Sequence, residues 1–433
     1  MTLASQVEVS GATTVGTAPM FAVSRAGAQA VAWVSAPNGG TDGRLYVSVG
    51  GAAPREIRDS LGAIEAHGET PPQLAYAPDG ALYAVYTVAK VAAGHRYPVT
   101  ALRLVRSTDG GATWTAPVTV TDGPAFGAHS YESLHLARDG TIYVSWLGAP
   151  DGVPAAPAAA HPARADGGMA GMAGMAGMAH VPAGAWITRS TDGGHSWSAR
   201  VRVDTGEACP CCRTALATGP NGAVYMAWRH VYPGNVREVV VAHSTDSGAT
   251  WSAPVPVHDD EWHFDACPHA GPALAADSAG VIHVAWWTGK EGAAGVFYAR
   301  STDGGRSFGN PIPLGVAKYS RAAHVQLSVR GTHQVIAAWD DGTREVPQIV
   351  VRASADGGVT FGARVPVSVA GRSATFPVLG AFGDSVVIAW SEESAADAAA
   401  AAHAHPNMKL PGAVMGLDSV GRSEVFARRG VVQ

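Results

Sequence analysis

The sequence predicts an all-β fold, a seven-bladed β-propeller of four-stranded antiparallel blades. Three observations lead there. A turn of the form Ser-x-Asp-x-Gly-x-Ser/Thr-Trp/Phe occurs five times: STDGGATW (107–114), STDGGHSW (190–197), STDSGATW (244–251), STDGGRSF (301–308) and SADGGVTF (354–361). An alternating strand closed by an aromatic residue occurs seven times: QAVAW (29–33), ALYAVY (81–86), TIYVSW (141–146), AVYMAW (223–228), VIHVAW (281–286), QVIAAW (334–339) and SVVIAW (385–390). These strands recur roughly every 50 to 60 residues, with one longer interval between Trp146 and Trp228, as in arrays whose units bury their apolar faces on one another. The 53 Gly and 28 Pro in 433 residues also suit short strands joined by turns.

Each element follows from that pattern. Within a repeat the strands run A to D, from the inside outward. Strand A is a short apolar run such as PALAAD or VQLSVR, B is the aromatic-ended strand, C resembles ITRS or VVVAH, and D follows the Asp turn, as PVPVHD does. In the turn, the carboxylate accepts hydrogen bonds from nearby N–H groups, glycine supplies angles a Cβ forbids, and the final aromatic anchors neighbouring sheets. Asp109, Asp192, Asp246, Asp303 and Asp356 are therefore read as structural. Seven such sheets arranged radially make a β-propeller. The last repeat ends at EVFARRGVVQ without a D strand, and QVEVSG (6–11) matches the other D strands. The N-terminal strand is thus expected to close the ring on the last blade. Six blades is the rival count and would leave one repeat unused. One propeller domain, 1–433, carries two long insertions, 148–184 and 391–423.

The Asp turns resemble the Asp-box, or BNR, repeats of sialidases and related propellers, closely over 107–361 and by period over most of the remainder. That resemblance implies the fold; a reaction needs its own residues.

Composition narrows the partners. A formal net charge of −5, with no basic run, argues against nucleic acid or an anionic membrane. No apolar stretch of about 20 residues predicts a membrane span. The start, MTLASQVEV, has no basic segment followed by an apolar core, so no signal peptide is expected within this chain.

Topology assigns the chemistry to one face. The Asp turns join C to D, whereas the D–A crossings and B–C loops lie at the opposite end, around the channel mouth. All four cysteines fall there: Cys209, Cys211 and Cys212 in EACPCCR, and Cys267 in DACPH, on crossings into the adjacent fourth and fifth blades. With His269, and with His129, His263 and His324 on neighbouring crossings, they form a candidate metal site. Soft sulfur and imidazole donors suit copper, above all Cu(I). Zinc is an alternative, although paired Cys-x₂-Cys knuckles are absent. Structural disulfides with no metal are another, since four cysteines allow three pairings. The first insertion repeats Met169, Met172, Met175 and Met178 between His161 and His180; the second holds His403, His405 and Met408. This series resembles the methionine motifs of extracytoplasmic copper-handling proteins, which implies metal recruitment and a periplasmic or secreted location. The bland reading is a Gly/Ala/Met linker that binds nothing.

The sialidase resemblance implies a different site: an arginine cluster for a substrate carboxylate, a Tyr nucleophile beside a Glu, and an Asp acid. Arg213, Arg321 and Arg372 begin inner strands, and Tyr131 or Tyr319 with Glu132 could form the pair. The Arg-Ile-Pro segment of that family is missing, with PMFAVSRAG in its place, and no motif marks the acid. The leading expectation is thus an extracytoplasmic propeller binding copper through Cys and His at the channel mouth, for copper handling or copper-dependent oxidation. A sialidase-like glycoside hydrolase, or a partner-binding propeller with structural disulfides, are the alternatives. The expected partner is a small molecule, a peptide or a copper-donor protein, and the expected state is a monomer.

Overall fold

The computed structural model describes residues 1–11, 16–35, 43–65, 68–92, 98–122, 126–149, 183–316, 322–343, 346–394 and 423–431. The described chain forms seven antiparallel sheets arranged as a β-propeller, so the count is seven and not six. Blade 1 runs Thr17–Val23, Gln29–Ser35, Arg44–Val49 and Arg55–Ile57, in spatial order from the inside outward. Blades 3, 5 and 6 repeat this plan with inner strands Ser130–Leu136, Ala273–Ala276 and Val325–Arg330. Blade 7 consists of Arg372–Phe382, Ser385–Ser394 and Glu424–Val431, and its outer edge comes from the other end of the chain. Thr2–Leu3 pairs with Val431 and Gly430, and Val7–Glu8 with Ala427 and Phe426. The ring is closed by backbone hydrogen bonds between the two ends of the chain, as expected.

Blades 2 and 4 depart from the regular plan in a way the repeat did not reveal. Their inner strands are split, into Ala63–Ile64 and Gln73–Tyr76 in one, and Glu207–Ala208 and Ala215–Thr218 in the other. Both pieces pair with the same B strand, so the described residues between them leave the ladder as an excursion at the mouth. One excursion carries Glu69, the other the CPCC cluster. In blades 1, 3 and 7 the inner strand instead carries a bulge, where Ala18 (φ 53°), Tyr131 (φ 60°) and Phe376 (φ 54°) adopt left-handed angles. Such bulges re-aim side chains, here around the channel opening.

The core lies between sheets. Trp33, Trp146, Trp228, Trp286, Trp339 and Trp390 are all at most 1% exposed, and all but Trp33 belong to clusters packed where adjacent blades meet. The cluster around Trp146, for instance, joins Val85 and Leu104 of blade 2 to Ile142 and Val144 of blade 3. The Asp turns form one hydrogen-bonded unit: Ser190 Oγ donates to Asp192 Oδ1 at 2.8 Å, and the Ser196 N–H reaches the same oxygen at 2.9 Å. Gly193 and Gly194, at φ 74° and 89°, supply the turn. No helix among the described residues is long and apolar enough to cross a membrane.

Candidate functional site at the channel mouth

On the face opposite the Asp turns, every blade except the third contributes to one cleft. Its walls include Pro19, Glu69, Arg213, His269, His324 and Phe376. The ends from which both long insertions depart, after Gly148 and after Ser394, are on this face.

The fourth and fifth crossings are locked together by close backbone approach. A Cβ on Gly271 would stand 2.2 Å from the Arg213 carbonyl oxygen, so only glycine fits there. In the fourth crossing the Cys209 N–H donates to the Arg229 carbonyl at 2.7 Å, and that of Cys212 to the Cys209 carbonyl at 3.4 Å, closing a tight turn. This turn gathers three sulfurs: Cys209 Sγ is 3.1 Å from Cys212 Sγ and 3.5 Å from Cys211 Sγ. The fifth crossing brings Cys267 and His269, whose donor atoms lie within 4.8 Å of Cys211 Sγ and of each other. His269 has a left-handed backbone, φ 51°. The five donors thus fall into two triads that share Cys211.

Two arginines neutralise this sulfur cluster. Arg237 Nη1 donates to Cys209 Sγ at 3.1 Å and its Nε to the Phe264 carbonyl at 2.9 Å. Arg229 is fully buried, donates to the carbonyls of Ala270 (3.0 Å) and Trp287 (2.6 Å), and lies 5.1 Å above the Trp262 ring. Burial would push the Cys209 thiol up, but hydrogen bonds from Cys211 and Cys212, with the charges of Arg237 and Arg229, hold it well below the usual range. The contact from Cys211 likewise lowers Cys267 against burial, while burial pushes Cys211 and Cys212 up.

A second cluster lines the other side of the cleft. His324 Nδ1 donates to Asp340 Oδ2 at 2.7 Å, and Nε2 lies 3.3 Å from Glu69 Oε1 and 3.0 Å from the His269 carbonyl. The Phe376 ring packs on the imidazole at 4.2 Å. Burial opposes its charge, yet the two carboxylates outweigh that and raise His324 to about 10. It is an imidazolium at neutral pH. Arg213, from blade 4, also lines the cleft; burial lowers it, while Glu132 and Glu69 favour its charge.

The expected residues separate into those brought together and those kept apart. Cys209, Cys211, Cys212, Cys267 and His269 meet. His324 is held by carboxylates, so it is a partner of the His269 backbone and not a donor in either triad. His129 turns to the Thr100 carbonyl at 3.3 Å and packs on Trp146, and His263 is exposed against the Gly234 carbonyl at 3.2 Å; neither joins a triad, because backbone acceptors fix both rings. Arg372 is tied to Glu392 (2.6 Å) and Glu424 (2.8 Å) within blade 7, and is absent from the cleft lining. Tyr131 and Glu132 do not form a pair. The bulge sends Tyr131 against the cysteines, and Glu132 accepts from Thr87 Oγ1 at 2.9 Å. Burial pushes Tyr131 well above its usual range and Glu132 to about 8, so neither is anionic at neutral pH. Tyr319, Arg321, His161, Met169, Met172, Met175, Met178, His180, His403, His405 and Met408 lie outside the described residues. The sequence did not single out Arg237 or Arg229 as thiol partners; a charged residue within an apolar strand, as in VREVVVAH, was the available signal.

The BNR repeat-like domain matches the chain twice, over residues 62–260 and 184–381. No curated protein matches. Among solved structures, a protein of unknown function from Dyadobacter fermentans is 17% identical, with 99% of each chain covered and a TM-score of 0.54. An ulvan lyase is 12% identical over 89% of this chain and 93% of its own, with a TM-score of 0.56. A variant of NanB sialidase from Streptococcus pneumoniae is 11% identical over 92% and 83%, with a TM-score of 0.51. At these identities the likeness is one of fold.

Proposed function

This chain belongs to the BNR repeat-like domain family, and from that premise we propose that it is a sialidase-like propeller whose axial cleft takes the carboxylate of an acidic saccharide on Arg213. The observation that carries this reading is Arg213, a guanidinium lining a cleft to which six blades contribute. A guanidinium binds both oxygens of a carboxylate, and a cleft assembled from six blades is preorganised for a ligand. The ulvan lyase of like fold has been seen bound to a glucuronate-containing saccharide, a ligand of this class. Titration calorimetry with sialyllactose and with a glucuronate oligosaccharide, alongside release of reducing sugar, tests it. Loss of one charge-assisted contact weakens binding by about 10- to 100-fold, so Arg213→Met is expected to do so. No binding of either saccharide, or equal binding by Arg213→Met, removes the basis of this reading.

A second reading, copper handling, is favoured by a separate observation: four thiols and one imidazole gathered beside the same cleft. An extracytoplasmic location belongs to it, as do the Met/His insertions as recruiting segments. Subcellular fractionation and metal analysis of protein purified with added copper test these two points.

A further inference from the structure

The donor geometry at the fourth and fifth crossings says more than that a metal could bind. Cys209, Cys211 and Cys212 form one triad and Cys211, Cys267 and His269 another, each with all donor atoms within 4.8 Å. A metal–sulfur bond of about 2.3 Å places the donors of a three-coordinate ion about 4 Å apart. The sulfur separations of 3.1 and 3.5 Å in the first triad fall within about 1 Å of that spacing. We propose that the site holds two Cu(I) ions, one in each triad, bridged by the Cys211 sulfur, with His269 presenting the second ion to the axial cleft. This rests on the copper reading and goes beyond it in ion count, bridge and orientation.

Three features support two monovalent ions. A single tetrahedral ion needs its donors around one centre, whereas these divide about a shared sulfur. Charge balances: four thiolates are offset by two Cu(I) ions together with Arg237, which touches Cys209, and the buried Arg229. Two divalent ions would leave a surplus of positive charge in a buried site, where unpaired charge is costly. The donors are also soft, and three of them, Cys209, Cys211 and Cys212, are at most 3% exposed, which shields Cu(I) from solvent and oxidant. His269 lines the cleft as well, so the second ion, not the first, is the one a cleft ligand can reach.

The test is Cu(I) stoichiometry on the full, reduced chain, without oxygen, in competition with bathocuproine disulfonate. Chelator is set so that the thioether and imidazole sites of the insertions are stripped, as checked with a variant lacking all four cysteines. The expected result is two retained ions in the native chain, one in Cys267→Ser, and none or one weakly held in Cys211→Ser. X-ray absorption is expected to show a sulfur shell and a copper–copper vector that is absent from Cys211→Ser. Unfolding midpoints confirm that the variants fold, and His269→Gln repeats the Cys267 test without altering a thiol. One retained ion in the native chain overturns the two-ion site while leaving the copper reading in place. No retained ion, or cysteines recovered as disulfides after loading, overturns both. Two ions with no loss in Cys211→Ser overturns the bridge.

Discussion

The His324 cluster permits a prediction whose size and pH dependence both follow from geometry. The perturbation is Asp340→Asn, which keeps the shape of the side chain and removes its charge. His324 rises from an ordinary 6.5 to about 10 because Asp340 and Glu69 outweigh burial. At about 1.36 kcal/mol per pH unit, that rise caps the network's contribution at ~5 kcal/mol. The two carboxylates share it, and Asp340 makes the shorter contact, 2.7 against 3.3 Å. Removing it is therefore expected to cost roughly half, about 2–3 kcal/mol. The sign is set by the direction of the shift. A raised histidine contributes fully below its unfolded value, near 6.5, and its contribution fades as pH climbs through about 10. Urea unfolding should thus separate native and variant proteins most at about pH 6, and the gap should close by about pH 10. Carbon-detected NMR of the imidazole supplies a direct reading. A pH-independent gap, or a native His324 that titrates in the ordinary histidine range, would refute the reasoning.

The remaining predictions concern the scaffold. Gly271→Ala forces a Cβ to 2.2 Å from a carbonyl and should cost about 1–3 kcal/mol in urea unfolding, with weaker Cu(I) retention because the crossings separate. Trp228→Ala empties a fully packed position between blades 3 and 4 and should cost about 3–5 kcal/mol, measured the same way. Asp303→Ala removes the contacts from Ser301 and Ser307 and should lower the thermal midpoint while leaving saccharide affinity unchanged, since that turn is on the opposite face. Deleting residues 1–8 unpairs the outer edge of blade 7, so amide exchange along Glu424–Val431 should accelerate more than in any other described strand.

The propeller was legible because a repeated unit repeats its signals. Seven aromatic-ended strands and five Asp turns locate the blades without knowledge of any contact between them. The ring closure was legible for the same reason, since Val7–Glu8 carries the outer-strand pattern at the wrong end of the chain. Strand order also put the cysteines on one face, although not the sharing of Cys211 between two triads. What escaped was anything set by orientation. His129 and His263 sit in the crossings expected of ligands, yet a backbone carbonyl fixes each ring elsewhere. Tyr131 and Glu132 are neighbours in sequence, and alternation with a bulge sends them to different surroundings. Glu69 and His324 are 255 positions apart and meet only because blades 2 and 6 face the same opening.

By itself, then, the order of residues determined how many sheets there are, which end of each sheet carries chemistry, and how the chain seals on itself. These depend on local periodicity, turn stereochemistry and strand direction, which any short segment expresses alone. The tertiary structure decided which charges meet: that Arg237 answers Cys209, that Asp340 and Glu69 hold His324 charged, and that Arg372 is spent within its own blade. Electrostatic partnership falls off over a few ångströms, and separations that small between distant parts of a chain exist only once the ring has closed.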